Sequence, residues 1–155
     1  MKQDSLFETP PSGQARGPGI KANIDGGARG NPGPAAYGVV IRDAKGQVID
    51  ELADYLGIQT NNYAEYSGLL AALEYAGKEK YASLHVVSDS ELLVKQMKGQ
   101  YRVKSPGLLE LYERARGLVR KLERFSIEHV LREHNREADR LVNKVLDSRS
   151  GGARI

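Results

Sequence analysis

The stretch Ile24-Asp25-Gly26-Gly27-Ala28-Arg29-Gly30-Asn31-Pro32-Gly33-Pro34 decides how the rest of the chain is read. Ile20 to Asp25 is short, partly apolar and β-compatible, so Asp25 falls at the end of a predicted strand. Gly26, Gly27, Gly30 and Gly33 permit backbone conformations with positive φ that other residues resist. An acid is therefore expected where a strand gives way to an adaptable loop. Taken alone, Asp-Gly-Gly reads as a turn with a solvated carboxylate. The placing of the later acids argues for more.

Outward from this stretch, composition sets the bounds. The chain has 155 residues, 40% hydrophobic and 28% charged, which suits one domain with a proper core. Cysteine is absent, which excludes disulfides, thiolate metal sites and cysteine nucleophiles; any metal must be held by oxygen or histidine. A net charge of +3 is compatible with a polyanionic partner without demanding one. No long apolar run and no hydrophobic amino-terminal segment supports a membrane span or a secretory signal, so the cytoplasm is the expected compartment.

Residues 1–19 are rich in Pro, Gly, Gln and Ser and are expected to form a flexible tail, with the folded domain over 20–147 and a fraying tail over 148–155. After the glycine-rich turn, Ala36 to Arg42 and Gln47 to Leu56 read as strands joined by Asp43-Ala44-Lys45-Gly46, an antiparallel hairpin. From Thr60 the period becomes helical: Leu69, Ala72, Leu73 and Ala76 form a stripe, with Asn61 or Asn62 as N-cap and Gly77 as stop. Glu65 lies four residues before Leu69, so it sits on the inward stripe, where an unpaired charge is costly. The alternative is a capping box between Asn62 and Glu65.

Ser83 to Val87 is a β-rich run ending in Ser88-Asp89, again an acid at a strand end, and Glu91 to Met97 is a short helix closed by Gly99. Lys95, Lys98, Arg102 and Lys104, with Tyr101 among them, suit phosphates and stacking, or form a solvated basic loop. Pro106 begins an amphipathic helix, and Phe125 to Leu131 is a last strand. A final helix is expected from Arg136 to about Leu146, capped by Asn135, with Asp139 bordering its packed face near the positive end. The mixture of strands and helices predicts an α/β layer structure with a mixed sheet.

Four acids thus stand at strand ends or first helical turns: Asp25, Glu65, Asp89 and Asp139. Such positions gather at the ligand end of an α/β sheet. Four converging carboxylates cannot all stay ionised without cations, and hard divalent metals meet that need. Metal-assisted phosphodiester cleavage is the chemistry this points to.

Asp25 through Pro34 with Tyr37-Gly38, then Thr60-Asn61-Asn62 and Glu65, then Ser88-Asp89-Ser90, then Arg132-Glu133 through Ala138-Asp139, resemble the type 1 ribonuclease H family from about Ile20 to Leu146. The resemblance implies a ribonuclease H-like fold, a five-stranded mixed sheet with one antiparallel hairpin and helices on both faces. It implies endonucleolytic hydrolysis of the RNA strand of RNA/DNA hybrids, leaving 5′-phosphate and 3′-hydroxyl ends. It gives Asp25, Glu65, Asp89 and Asp139 the task of holding two Mg2+ ions, with Mn2+ as a substitute. Asn31, Asn61, Asn62 and the backbone at Gly27 match positions that touch the minor groove of the hybrid, and Thr60 and Arg42 match positions that touch phosphate. A monomer without an obligatory protein partner is expected.

The chain departs from the family in the short loop before the last acid, where His134 is the positional candidate for proton traffic or product release and Arg132 or Glu133 compete for the space. Glu91 stands where a neutral amide is common, which would add negative charge near the metals, and Ala28 stands where a cysteine is common. No basic protrusion and no tryptophan-bearing hybrid-binding module is seen, so affinity is expected to rest on Lys95 to Lys104 and to depend on salt. His85 and His129 read as structural. Two other readings keep the fold: a resolvase- or transposase-like nuclease, and a hybrid-binding module without catalysis.

Overall fold

Ile20, Ala22 and Ile24 alternate along Ile20–Ala28 and all three are buried, which makes this segment strand β1 and puts Asn23 and Asp25 on its other face. A computed structural model describes residues 19–154; apart from Gly19, the expected amino-terminal tail lies outside the described residues. Strands β2 (Gly33–Arg42) and β3 (Val48–Gln59) form the expected antiparallel hairpin, and β2 also pairs antiparallel with β1. Helix α1 (Asn61–Lys78), strand β4 (Ser83–Ser88), helices α2 (Glu91–Met97) and α3 (Pro106–Val119) and strand β5 (Arg124–His129) follow. A 3-10 turn (Arg132–His134) leads into helix α4 (Arg136–Arg154).

The sheet order is β3-β2-β1-β4-β5, with β1, β4 and β5 parallel. On one face, Ile24, Val39 and Val86 meet Leu69 and Leu73 of α1, and α3 packs behind α1. Burial of each such leucine contributes about 1.5–3 kcal/mol. On the other face, Ala36 meets Val142 and Leu146 of α4. Helices therefore flank both faces, and the five-stranded mixed sheet is the one expected.

Several local boundaries differ from the sequence reading, each for a long-range reason. Strand β1 continues past Asp25 to Ala28 because its last residues still pair with β2, so Gly26 and Gly27 lie within a strand. Within the turn only Gly30 takes a positive φ, +96°. The N-cap of α1 is Thr60, whose Oγ1 accepts from the Tyr63 N–H at 3.1 Å, in place of Asn61 or Asn62. Gly77 stays inside that helix, and Lys80 supplies the positive φ beyond its end. Helix α4 does not stop near Leu146 but runs on to Arg154: the Arg29–Asp147 ion pair at 2.7 Å and the Arg149 guanidinium 4.1 Å over the Tyr55 ring join it to the turn after β1 and to β3.

Candidate active site

The parallel pairing of β1 with β4 ends where Ile24 faces Ser88, and the next residue on each chain segment is an acid, Asp25 and Asp89. Two carboxylates are thereby delivered to adjacent positions at the carboxyl ends of the central strands. Gly26 brings the third. A Cβ at Gly26 would fall 2.2 Å from the Ala64 carbonyl carbon and 2.5 Å from the Glu65 nitrogen, so only glycine lets the first turns of α1 rest on β1. Asp25, Glu65 and Asp89 each offer a carboxylate oxygen within 4.8 Å of the other two. Gly38 plays the same part for the fourth: a Cβ there would lie 2.7 Å from the Ala138 carbonyl oxygen, so its absence admits α4 and with it Asp139. Asp139 hydrogen-bonds to Asp25 and lines the same cleft of about 390 Å³, although it stands outside the three-way cluster.

Electrostatics show how poorly this arrangement tolerates its own charge. Burial, and then the Asp89 and Asp139 carboxylates, push the Asp25 carboxyl up to about 8 from an ordinary 3.8. Burial and the neighbouring Asp25 and Asp89 push Glu65 well up. Asp89 is raised by burial, with Arg132 and a hydrogen bond from Asn135 opposing the rise. The Glu65 carboxylate takes a backbone hydrogen bond from Gly26, while its buried Oε1 has no partner. A capping box with Asn62 is therefore not what holds Glu65. A buried carboxylate oxygen with no donor, beside two more carboxylates, is the donor set that hard divalent cations fit.

The turn residues expected to bind substrate are brought together with the acids. Asn31 Oδ1 accepts from the Asn61 N–H at 2.9 Å, and Asn61 Oδ1 accepts from the Ala28 N–H at 2.8 Å, which staples the glycine-rich turn to the start of α1. Both amide groups keep their N–H donors for other partners. Gly27 lines the cleft, Thr60 is committed as the helix cap, and Asn62 is exposed on the first turn of α1.

Three of the residues singled out in the sequence stand away from the acid cleft in this structure. Arg42 is bonded to Glu137 at 2.7 Å and to the Gly46 carbonyl, and it lines a separate cavity of about 910 Å³ at the other end of the sheet. His134 is exposed on the 3-10 turn and does not line the acid cleft; Arg132, three residues before Asn135, does. Glu91 pairs with Lys95 at 3.0 Å on the surface of α2 and does not line the cleft either. Of the two strand histidines, His85 bonds Ser126 and Glu128 across the sheet, a structural arrangement, whereas His129 lies near enough to Asp89 to favour its charged form.

Sequence reasoning took Asn135 only as a helix cap and gave Asn23 and Asn143 no part. Buried Asn135 turns towards the sheet, accepting from Asn23 Nδ2 at 3.0 Å and donating to the Ile24 carbonyl at 2.8 Å, beside its bond to Asp89. Nothing local marks it for this. Asn143 donates to Asp139 from one helical turn away, and that spacing of four was a signal available in the sequence.

A five-stranded sheet that gathers carboxylates at its central strand ends and two helix starts defines the ribonuclease H fold class. Residues 23–145 match the family model described as reverse transcriptase-like, and the chain belongs to that family, in its type 1 ribonuclease H branch. Ribonuclease HI of Halobacterium salinarum is 42% identical over 132 residues, covering 85% of this chain and 66% of that protein. The bifunctional protein Rv2228c of Mycobacterium tuberculosis is 45% identical over 135 residues, and this chain spans only 37% of its length. Its N-terminal RNase H domain, solved as a fusion with maltose binding protein, superposes with a TM-score of 0.83 at 43% identity, covering 87% of this chain and 98% of that one. LC11-RNase H1, solved in complex with RNA/DNA hybrid, superposes with a TM-score of 0.79 at 42% identity, covering 83% of this chain and 97% of that one.

Proposed function

We propose that the chain is an endoribonuclease that hydrolyses the RNA strand of RNA/DNA hybrids, with two Mg2+ ions, replaceable by Mn2+, held by Asp25, Glu65, Asp89 and Asp139. The observation that carries this reading is the mutual 4.8 Å approach of three carboxylates around the partnerless Glu65 Oε1. The hybrid complex of LC11-RNase H1 supports the choice of substrate. No helix among the described residues is long and apolar enough to cross a membrane. The proposed setting is the cytoplasm, and the proposed working form is a monomer.

The bound cations would supply Lewis acidity, easing deprotonation of a water and offsetting charge on the scissile phosphate. The rest falls to the chain. Asn31, Asn61 and the backbone of the glycine-rich turn face the minor groove, where donors recognise 2′-hydroxyls and so select the RNA strand. The hydrogen bond from Asn135 and the Arg132 charge both favour the ionised form of Asp89 against the burial that opposes it. Water oxygen joins phosphorus as the P–O3′ bond breaks; the water proton leaves to solvent and the departing 3′ oxygen takes up another. The products are a 5′-phosphate and a 3′-hydroxyl. Arg132, which lines the cleft where His134 does not, is the side chain we assign to assist release of the product phosphate.

A cleavage assay across RNA/DNA hybrid, duplex RNA and duplex DNA, with and without Mg2+, tests the reading. Cutting confined to the RNA of the hybrid and dependent on the metal supports it. Equal cutting of duplex DNA would favour a resolvase-like activity, and hybrid binding without cutting in Mg2+ or Mn2+ would favour a binding module.

A further inference from the structure

Asp139 stands outside the three-way cluster and meets it through its hydrogen bond to Asp25, while a second contact holds its carboxylate from the helix side. Asn143, one turn further along α4, donates from Nδ2 to Asp139 Oδ2 at 3.3 Å and to the Asp139 carbonyl at 3.2 Å. The same side chain accepts, at Oδ1, from Arg29 Nη2 at 3.2 Å, and that nitrogen also pairs with Asp147 at 2.7 Å. The amide orientation follows from its neighbours: a guanidinium can only donate and the Asp139 backbone carbonyl can only accept, so oxygen must face Arg29 and nitrogen Asp139. Reversing it would set oxygen against the Asp139 carbonyl and N–H against guanidinium, losing both contacts. A helix-surface asparagine paired only with its own backbone would have no such demand placed on it.

Arg29 belongs to the glycine-rich turn, which is stapled on its other side to α1 through Asn31 and Asn61. The turn is therefore gripped by both helices that carry acids, α1 with Glu65 and α4 with Asp139. We propose that Asn143 is a positioning residue for Asp139, held in register by Arg29, so that the substrate-facing turn and the fourth metal-binding carboxylate form one mechanical unit. This rests on the function proposed above and adds to it two residues outside the acid set. Outer contacts of this kind fix ligand orientation and govern metal affinity more than fold stability.

The test uses the full chain, with Mn2+ alone as the calorimetric probe, Mg2+ titrated against hybrid cleavage, and thermal melting. In Asn143→Leu, which keeps the shape and removes the donor, Mn2+ affinity should weaken by about tenfold and the Mg2+ midpoint should rise by about the same factor. The melting temperature should stay within about 2 °C, as befits an exposed position. Arg29→Gln should shift the midpoint in the same direction, and the double variant should shift it by no more than the larger single effect, because both act through one relay. An unchanged isotherm and midpoint in Asn143→Leu, or a lowered melting temperature with the midpoint unmoved, overturns the inference alone. Wild-type protein that binds no Mn2+ and cuts no hybrid overturns the reading of the site together with it.

Discussion

Replacing Asp25 with asparagine should raise the melting temperature of the metal-free protein at pH 8 while ending turnover. The carboxyl is buried and hydrogen-bonded to Asp139, with Asp89 close by, and this surrounding lifts its pKa to about 8 from an ordinary 3.8. A tenfold change in proton affinity is worth about 1.4 kcal/mol, so holding one carboxyl that far from its ordinary value sets a ceiling on the order of 6 kcal/mol. Asp25 shares its hydrogen bond with another acid, so the relief per substitution is taken as about 2 kcal/mol, or about 4–8 °C in a domain of this size. The direction with pH follows from linkage. An acid whose pKa is raised on folding contributes stability in full below its unfolded value and loses that contribution as pH climbs through the folded value. Metal-free wild type should therefore weaken between about pH 4 and pH 8, and the advantage of Asp25→Asn should grow over the same interval. Saturating Mg2+ at pH 8 should narrow the gap by stabilising the wild type. Thermal melts in chelator and in Mg2+ at pH 5, 6.5 and 8 measure all of this. An Asp25→Asn protein that is less stable than wild type at pH 8 without metal, or a gap that does not move with pH, would refute the electrostatic account of the site.

The remaining predictions concern single parts. Glu65→Gln should cost at least about a hundredfold in kcat without lowering the melting temperature, since the acid is not a helix cap; a lower melting temperature with activity retained would restore the capping role. Gly26→Ala should destabilise by about 2–3 kcal/mol, about 4–12 °C, and remove activity with it, because the new Cβ meets the backbone of Ala64 and Glu65 rather than a side chain that can turn away. Arg132→Ala should lower kcat while His134→Ala leaves it nearly unchanged; the opposite ranking in single-turnover assays would return the role to the histidine. Replacing exposed Lys98, Arg102 and Lys104 together by glutamine should flatten the salt dependence of hybrid binding, lowering the log–log slope by about two to three, and an unaltered slope would remove this loop from the substrate path.

The carboxylate set was legible because two different local signals converged on it. Asp25 and Asp89 each follow an apolar strand pattern, and Glu65 and Asp139 each sit on or beside a helix stripe that has to pack. What escaped was decided by distant neighbours. Gly26 offered only conformational freedom in the sequence, yet its φ is ordinary; the constraint is the approach of Ala64, more than thirty residues away. That Arg132 lines the cleft and His134 does not depends on how the 3-10 turn faces it, which no local pattern records. Arg42 matched a phosphate-contact position, but Glu137 claims its guanidinium in the folded chain. The later turns of α4 carry weak helix signals and are held by Tyr55 and Arg29, contacts that only the folded sheet creates.

The central claim is that the acids on four separate elements converge to hold cations. Crystals of the protein soaked in MnCl2 and measured at the manganese edge address it directly. The account predicts anomalous density among Asp25, Glu65, Asp89 and Asp139, with Glu65 Oε1 within bonding distance of a peak. An occupied Mn2+ site elsewhere on the molecule, with no density between these carboxylates, would contradict it.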